Sequence, residues 1–144
     1  MKERYEGDLY AKKNPTWHEE DAPWKAGHIE RMIKRNKIPD DKICEVGCGT
    51  GDILLRLEKA LPSAALSGYE ISPQAFNRAK QKETQRTKFY LKDMLGESGL
   101  HFDVVLVIDV IEHVEDYISF IKKLRKFGPY KIFHIPLDLS ARSV

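Results

Sequence analysis

Four carboxylates stand where short apolar runs give way to turns: Glu45, Glu70, Asp93 and Asp109. The first belongs to Glu45-Val46-Gly47-Cys48-Gly49-Thr50-Gly51, which follows Ile43 and Cys44 and precedes the helical pattern Ile53, Leu54, Leu57, Leu61. A glycine-rich turn between a strand and a helix is where α/β sheets hold nucleotide cofactors. The spacing departs from the dinucleotide fingerprint G-x-G-x-x-G, whose third glycine would fall at Asp52; here it is Gly51. Glu45, two residues before the first glycine, would repel a pyrophosphate and would welcome a cationic amino group. Glu70, nineteen residues after Gly51, suits a ribose diol. Asp93 and the apolar Met94 after it suit an adenine amino group and its ring face. Asp109 opens Asp109-Val110-Ile111-Glu112-His113-Val114. Four acids in this order do not favour phosphate.

The surrounding pattern supplies elements to hold them. Asp21 and Pro23 open a helix with Trp24, Ile29, Met32 and Ile33 as its apolar positions, ending before Pro39. Strands are expected over 42–47, 65–70, 87–92, 102–108 and 130–135. Helices are expected over 52–61, from the Ser72-Pro73 cap to about 82, and from Asp116 with Tyr117, Phe120, Ile121 and Leu124 on one face. Alternation of this kind implies a doubly wound, Rossmann-like parallel sheet of five strands with right-handed crossovers. Residues 1–40 read as an N-terminal segment and lid helix, and 41–144 as a cofactor-binding core.

The chain has 144 residues, 42% hydrophobic and 32% charged, with a net charge of only +2. That balance gives no electrostatic reason to expect nucleic acid or an anionic membrane as partner. Basic clusters over 78–92 and 122–126 read as solvated faces. The polar N-terminus reads as neither signal peptide nor membrane span. Cys44 and Cys48 lie too close along the chain for an easy disulfide, and no zinc ligand set surrounds them, so reduced thiols in a cytoplasmic protein are expected. Each candidate also has a plain reading. Glycine serves any tight turn, Glu70 could cap the helix after it, Asp93 could be a loop acid, and Asp109 with Glu112 could cap a turn. His113 could be a packing histidine.

In combination, E-x-G-x-G-x-G and the acids after the second and third strands resemble the class I S-adenosylmethionine-dependent methyltransferases, over residues 42–136. The stretch D-V-I-E-H-V-E-D resembles the segment after their fourth strand, and Pro23-Trp24-Lys25 lies in a helix similar to their N-terminal lid. The resemblance implies S-adenosyl-L-methionine as cofactor, S-adenosyl-L-homocysteine as product, and an unidentified, small-molecule acceptor. It places Glu45, Gly47, Cys48, Gly49, Gly51, Glu70, Ile71, Asp93, Met94 and Asp109 around the cofactor, with Glu45 toward its amino group and Asp109 beside the methyl. Transfer asks for positioning and exclusion of water, and for a base only if the nucleophile keeps its proton. His113 is the first candidate base, with His18 and His134 behind it. Such domains continue past the fifth strand with a helix and an antiparallel pair, so the sequence reads as C-terminally truncated. An unpaired fifth strand at 131–135 would then invite self-association, and substrate binding and turnover would be impaired. Two alternatives remain: a non-catalytic cofactor-binding or interaction module, and a relative of small-RNA 3′-end methyltransferases, whose metal-binding segment Asp109, Glu112 and His113 resemble. The later histidine motif of that group is absent.

Overall fold

The computed structural model describes residues 19–137; His18 and the segment from 138 lie outside it. Five strands, β1 (Lys42–Val46), β2 (Ala65–Glu70), β3 (Thr87–Leu91), β4 (Val104–Ile108) and β5 (Tyr130–His134), form one sheet in the order β3-β2-β1-β4-β5. Every pairing is parallel. Helices α1 (Ala22–Arg35), α2 (Asp52–Ala60), α3 (Pro73–Lys80) and α4 (Tyr117–Leu124) complete the framework. The expected Rossmann-like sheet is therefore present. Its strand order reverses at the β1/β4 boundary, so a crevice opens there outside the carboxyl ends of the strands.

The strands carry continuous apolar runs because both faces are covered. In β4, Val104, Leu106 and Ile108 join Ile43, Leu54, Leu57, Leu66 and Phe89 on one face; Val105 and Val107 join Cys44, Phe120, Leu124 and Phe127 on the other. Glu45 shares the parity of Ile43, so it points toward the face covered by the first of these clusters. Among the described residues β5 is a sheet edge. No helix among them is long and apolar enough to cross a membrane.

Two helical faces differ from expectation. In α1 the buried stripe is Ala22, Lys25, Ala26, Ile29 and Ile33, whereas Trp24 and Met32 are exposed. At 3.6 residues per turn Trp24 falls opposite that stripe and Met32 on its flank. In α4, Phe120 and Leu124 are buried, while Tyr117 and Ile121 are exposed. Ser72 caps α3, accepting from Ala75 N at 3.5 Å. The 78–92 cluster is not merely solvated: the Arg86 guanidinium donates to the carbonyls of Glu58, Leu61 and Ala64, ending α2 as a cation should.

Candidate functional site

At the strand-order reversal lies a cavity of about 210 Å³. The loop after β1 forms one wall, and it is pinned by Gly47 N and Cys48 N donating to Tyr69 O at 2.8 and 3.1 Å. Gly47 has φ +69°, and a Cβ there would stand 2.8 Å from Val110 Cγ2, so glycine lets the segments after β1 and β4 meet. Glu70 ends β2 and spends its carboxylate on backbone. Oε2 accepts from Gly49 N, and Oε1 from Ile71 N and Ser72 N, all at 2.8 Å. Burial pushes the Glu70 carboxyl above its ordinary range, with these three N–H groups pulling the other way.

Glu45 stands in contrast. It is 2% exposed, and its Oε2 has no hydrogen-bond partner. Burial, then the neighbouring charges of Glu70 and Asp109, push its carboxyl well above the usual carboxylate range. A buried oxygen of this kind calls for a donor. Because it lines the cavity, that donor can be a ligand.

Opposite the glycine loop, Asp109 has φ +56°, unusual for a residue with a Cβ. Its backbone N donates to His134 O at 3.0 Å, and its Oδ1 meets His134 Nδ1. Its Oδ2 accepts from Lys25 Nζ at 2.5 Å, an ion pair reaching down from α1. Burial raises the Asp109 carboxyl, but the Lys25 and His134 hydrogen bonds and the charges behind them outweigh it and hold it below its ordinary range.

Of the residues proposed from sequence, Glu45, Gly47, Cys48, Gly49, Glu70, Ile71, Asp93, Met94 and Asp109 line the cavity. Gly51 and His113 do not. A Cβ on Gly51 would lie 2.3 Å from the Phe89 ring, so this glycine serves the packing of the α2 start against β3. His113 sits in a short 3-10 turn, 3.8 Å from Glu112. Asp109 turns toward Lys25 and His134 instead, and no group of three metal-ligating side chains exists among the described residues. Lys25 was named from sequence only within Pro23-Trp24-Lys25 of the lid helix and given no site role, although a lysine inside the stripe Ala22, Ala26, Ile29, Ile33 was a visible signal.

A Rossmann-like sheet whose cavity is rimmed by carboxylates suits a nucleoside ligand carrying an amino group and no phosphate. Residues 44–127 match the model of the methyltransferase domain family, and the chain belongs to that family. It is 29% identical to human tRNA N(3)-cytidine methyltransferase METTL6 over 118 residues, which are 74% of this chain and 42% of that protein. It is 34% identical to trans-aconitate 2-methyltransferase of Streptomyces coelicolor over 74 residues, 46% of this chain and 24% of that one. Among solved structures it superposes on the plantazolicin methyltransferase BpumL, in complex with a triazolic desmethylPZN analogue and S-adenosylhomocysteine (SAH). The TM-score is 0.67 at 22% identity, covering 85% of this chain and 47% of that one. The chain thus spans less than half the length of these relatives.

Proposed function

We propose that this chain binds S-adenosyl-L-methionine in the cavity between β1 and β4 and transfers its methyl group to a small acceptor, leaving S-adenosyl-L-homocysteine. The observation that carries the reading is the buried, unpartnered Oε2 of Glu45 in the cavity wall. A cofactor α-amino group is a cationic donor that fits it, whereas a pyrophosphate would add a negative charge to a site already holding Glu45, Glu70 and Asp109.

The other residues fit the same ligand. The loop from Gly47 to Gly49 lies against the cavity, and Glu70, with three of about four acceptor sites taken by backbone, keeps one for a ribose hydroxyl. Asp93 accepts from Leu95 N through Oδ1, which leaves Oδ2 for an adenine amino group beside the buried Met94 side chain. The bound cofactor supplies an electrophilic methyl. The residues around Asp109 have to hold the acceptor in line with it and exclude water.

Calorimetry tests this. S-adenosyl-L-homocysteine is expected to bind in the micromolar range, with no heat from NAD. Binding of NAD instead would overturn the cofactor assignment, and binding of neither would leave an interaction module.

A further inference from the structure

Beside the cofactor cavity lies a second one, of about 220 Å³, between α1 and the ends of β4 and β5. Lys25 and Ile108 line both, so the two cavities adjoin at Lys25 and its ion pair with Asp109. The second cavity has an apolar floor that includes Ile29 and Ile132 and an aromatic rim. Trp24 meets His28 edge-on at 4.5 Å and His134 edge-on at 5.7 Å. The exposure of Trp24 on a helix otherwise buried along one stripe is thereby given a use.

We propose that this second cavity holds the methyl acceptor, that the acceptor is a phenol, and that His134, oriented by Asp109, removes its hydroxyl proton. The proposal rests on the cofactor reading above. Asp109 Oδ1 meets His134 Nδ1; with the carboxylate ionised, Nδ1 carries the proton and donates, leaving Nε2 as the basic nitrogen of the neutral ring. A carboxylate hydrogen-bonded behind an imidazole fixes its tautomer and stabilises the imidazolium.

Three features select a phenol. An apolar cavity of about 150 Å³ already holds a benzene ring, and aromatic edges favour a ring over an alkyl chain. A proton acceptor is superfluous for a neutral amine, and the Lys25 ammonium in the wall disfavours a charged one. The phenol's acidity, near 10, is about three to four pH units above that of imidazole, a gap a general base can bridge as the oxygen attacks. An aliphatic alcohol, about as weak an acid as water, is too far away. In the step, the phenol O–H bond breaks and its proton passes to His134 Nε2. The oxygen's electron pair forms the new bond to the methyl carbon, and the pair of the breaking S–CH3 bond stays on sulfur.

The test uses 4-chlorophenol and 4-chlorothiophenol; the thiol ionises readily and needs no base. By ligand-observed NMR, 4-chlorophenol should bind the SAH-saturated protein, and Trp24→Ala should weaken that binding about tenfold. His134→Asn, which keeps an N–H toward Asp109, should leave 4-chlorophenol and SAH affinities within about threefold. It should slow methylation of the phenol about 100-fold and of the thiophenol by no more than about threefold. No phenol binding to the wild-type protein, binding indifferent to Trp24→Ala, or equal slowing of both acceptors would each overturn the proposal. Phenol binding that Trp24→Ala weakens, in a protein that ignores SAH, would uphold the acceptor cavity and overturn the cofactor reading instead.

Discussion

The two sides of the crevice are built in different ways. On the β1/β2 side, the polar groups come from chain segments that a parallel sheet must bring together, and Glu70 is anchored by three backbone N–H groups. On the β4/β5 side, Asp109 is held by side chains from α1 and β5, 84 and 25 residues away. The first side is a backbone cradle with one unpartnered acceptor, the Glu45 Oε2. The second is a side-chain network with a lysine that can be exchanged without touching the sheet. A cradle suits a ligand shared by many proteins, and a side-chain network is where an acceptor can be selected.

The largest effect that would break this contrast is expected at Glu70. In Glu70→Ala three N–H groups lose their acceptor, and hydrogen bonds to a charged group contribute about 1.5–3 kcal/mol each. We expect SAH affinity to fall at least about 100-fold and the stability to drop by about 2–4 kcal/mol, part of the loss being recovered by water. Chemical denaturation and calorimetry together check this. Undiminished SAH affinity would show that the β2 end is not part of the cofactor site.

Why the first side was legible follows from the same geometry. Parallel strands deliver their carboxyl ends to one rim, so Glu45, Glu70, Asp93 and Asp109 had to converge once five strands were read. β2 was legible to the residue, Ala65–Glu70, because Pro62 and Ser72-Pro73 punctuate it. Gly51 was not legible, because a glycine in a loop can admit a ligand or a ring. Only the fold reveals Phe89 beneath it. His113 drew attention through proximity in sequence to Asp109, yet it sits in the 3-10 turn Ile111–His113 and does not line the cavity that Asp109 lines. His134 became prominent only when β4 and β5 paired Ile108 with it. Trp24 and Met32 were read by hydrophobicity alone, whereas the helical stripe ran through Lys25.

Glu45→Gln sharpens the comparison by acting in opposite directions on fold and ligand. The Glu45 carboxyl is raised above its ordinary value of 4.5, so the folded state holds its proton more tightly than the unfolded chain. Its contribution is therefore greatest below that value and is lost as pH rises from 4.5 toward the raised folded value. Glutamine removes this slope, and the unliganded variant should be more stable at neutral pH by about 1 kcal/mol. It also removes the anionic partner for an amino group, so SAH should bind about tenfold more weakly. A variant that loses both stability and affinity would mean that Glu45 has a structural partner in the free protein.

Lys25→Met should have the smallest effect on the cofactor, and that smallness is what it tests. Removing the ammonium leaves Asp109 with His134 alone, while the glycine loop and Glu70 keep all their hydrogen bonds. SAH affinity should stay within about threefold. Stability should fall by about 1 kcal/mol at neutral pH, a value discounted because the Asp109 side chain is 24% exposed to solvent. The sign with pH is opposite to that of Glu45. The folded Asp109 carboxyl lies below its ordinary 3.8, so its contribution is present above 3.8 and disappears as pH falls through the lowered folded value. In the methionine variant that acid-side loss should shrink, because the first hydrogen bond lowering the carboxyl is gone. If SAH binding instead collapsed with Lys25, the two sides of the crevice would be one energetic unit, and acceptor selection could not vary independently of the cofactor cradle.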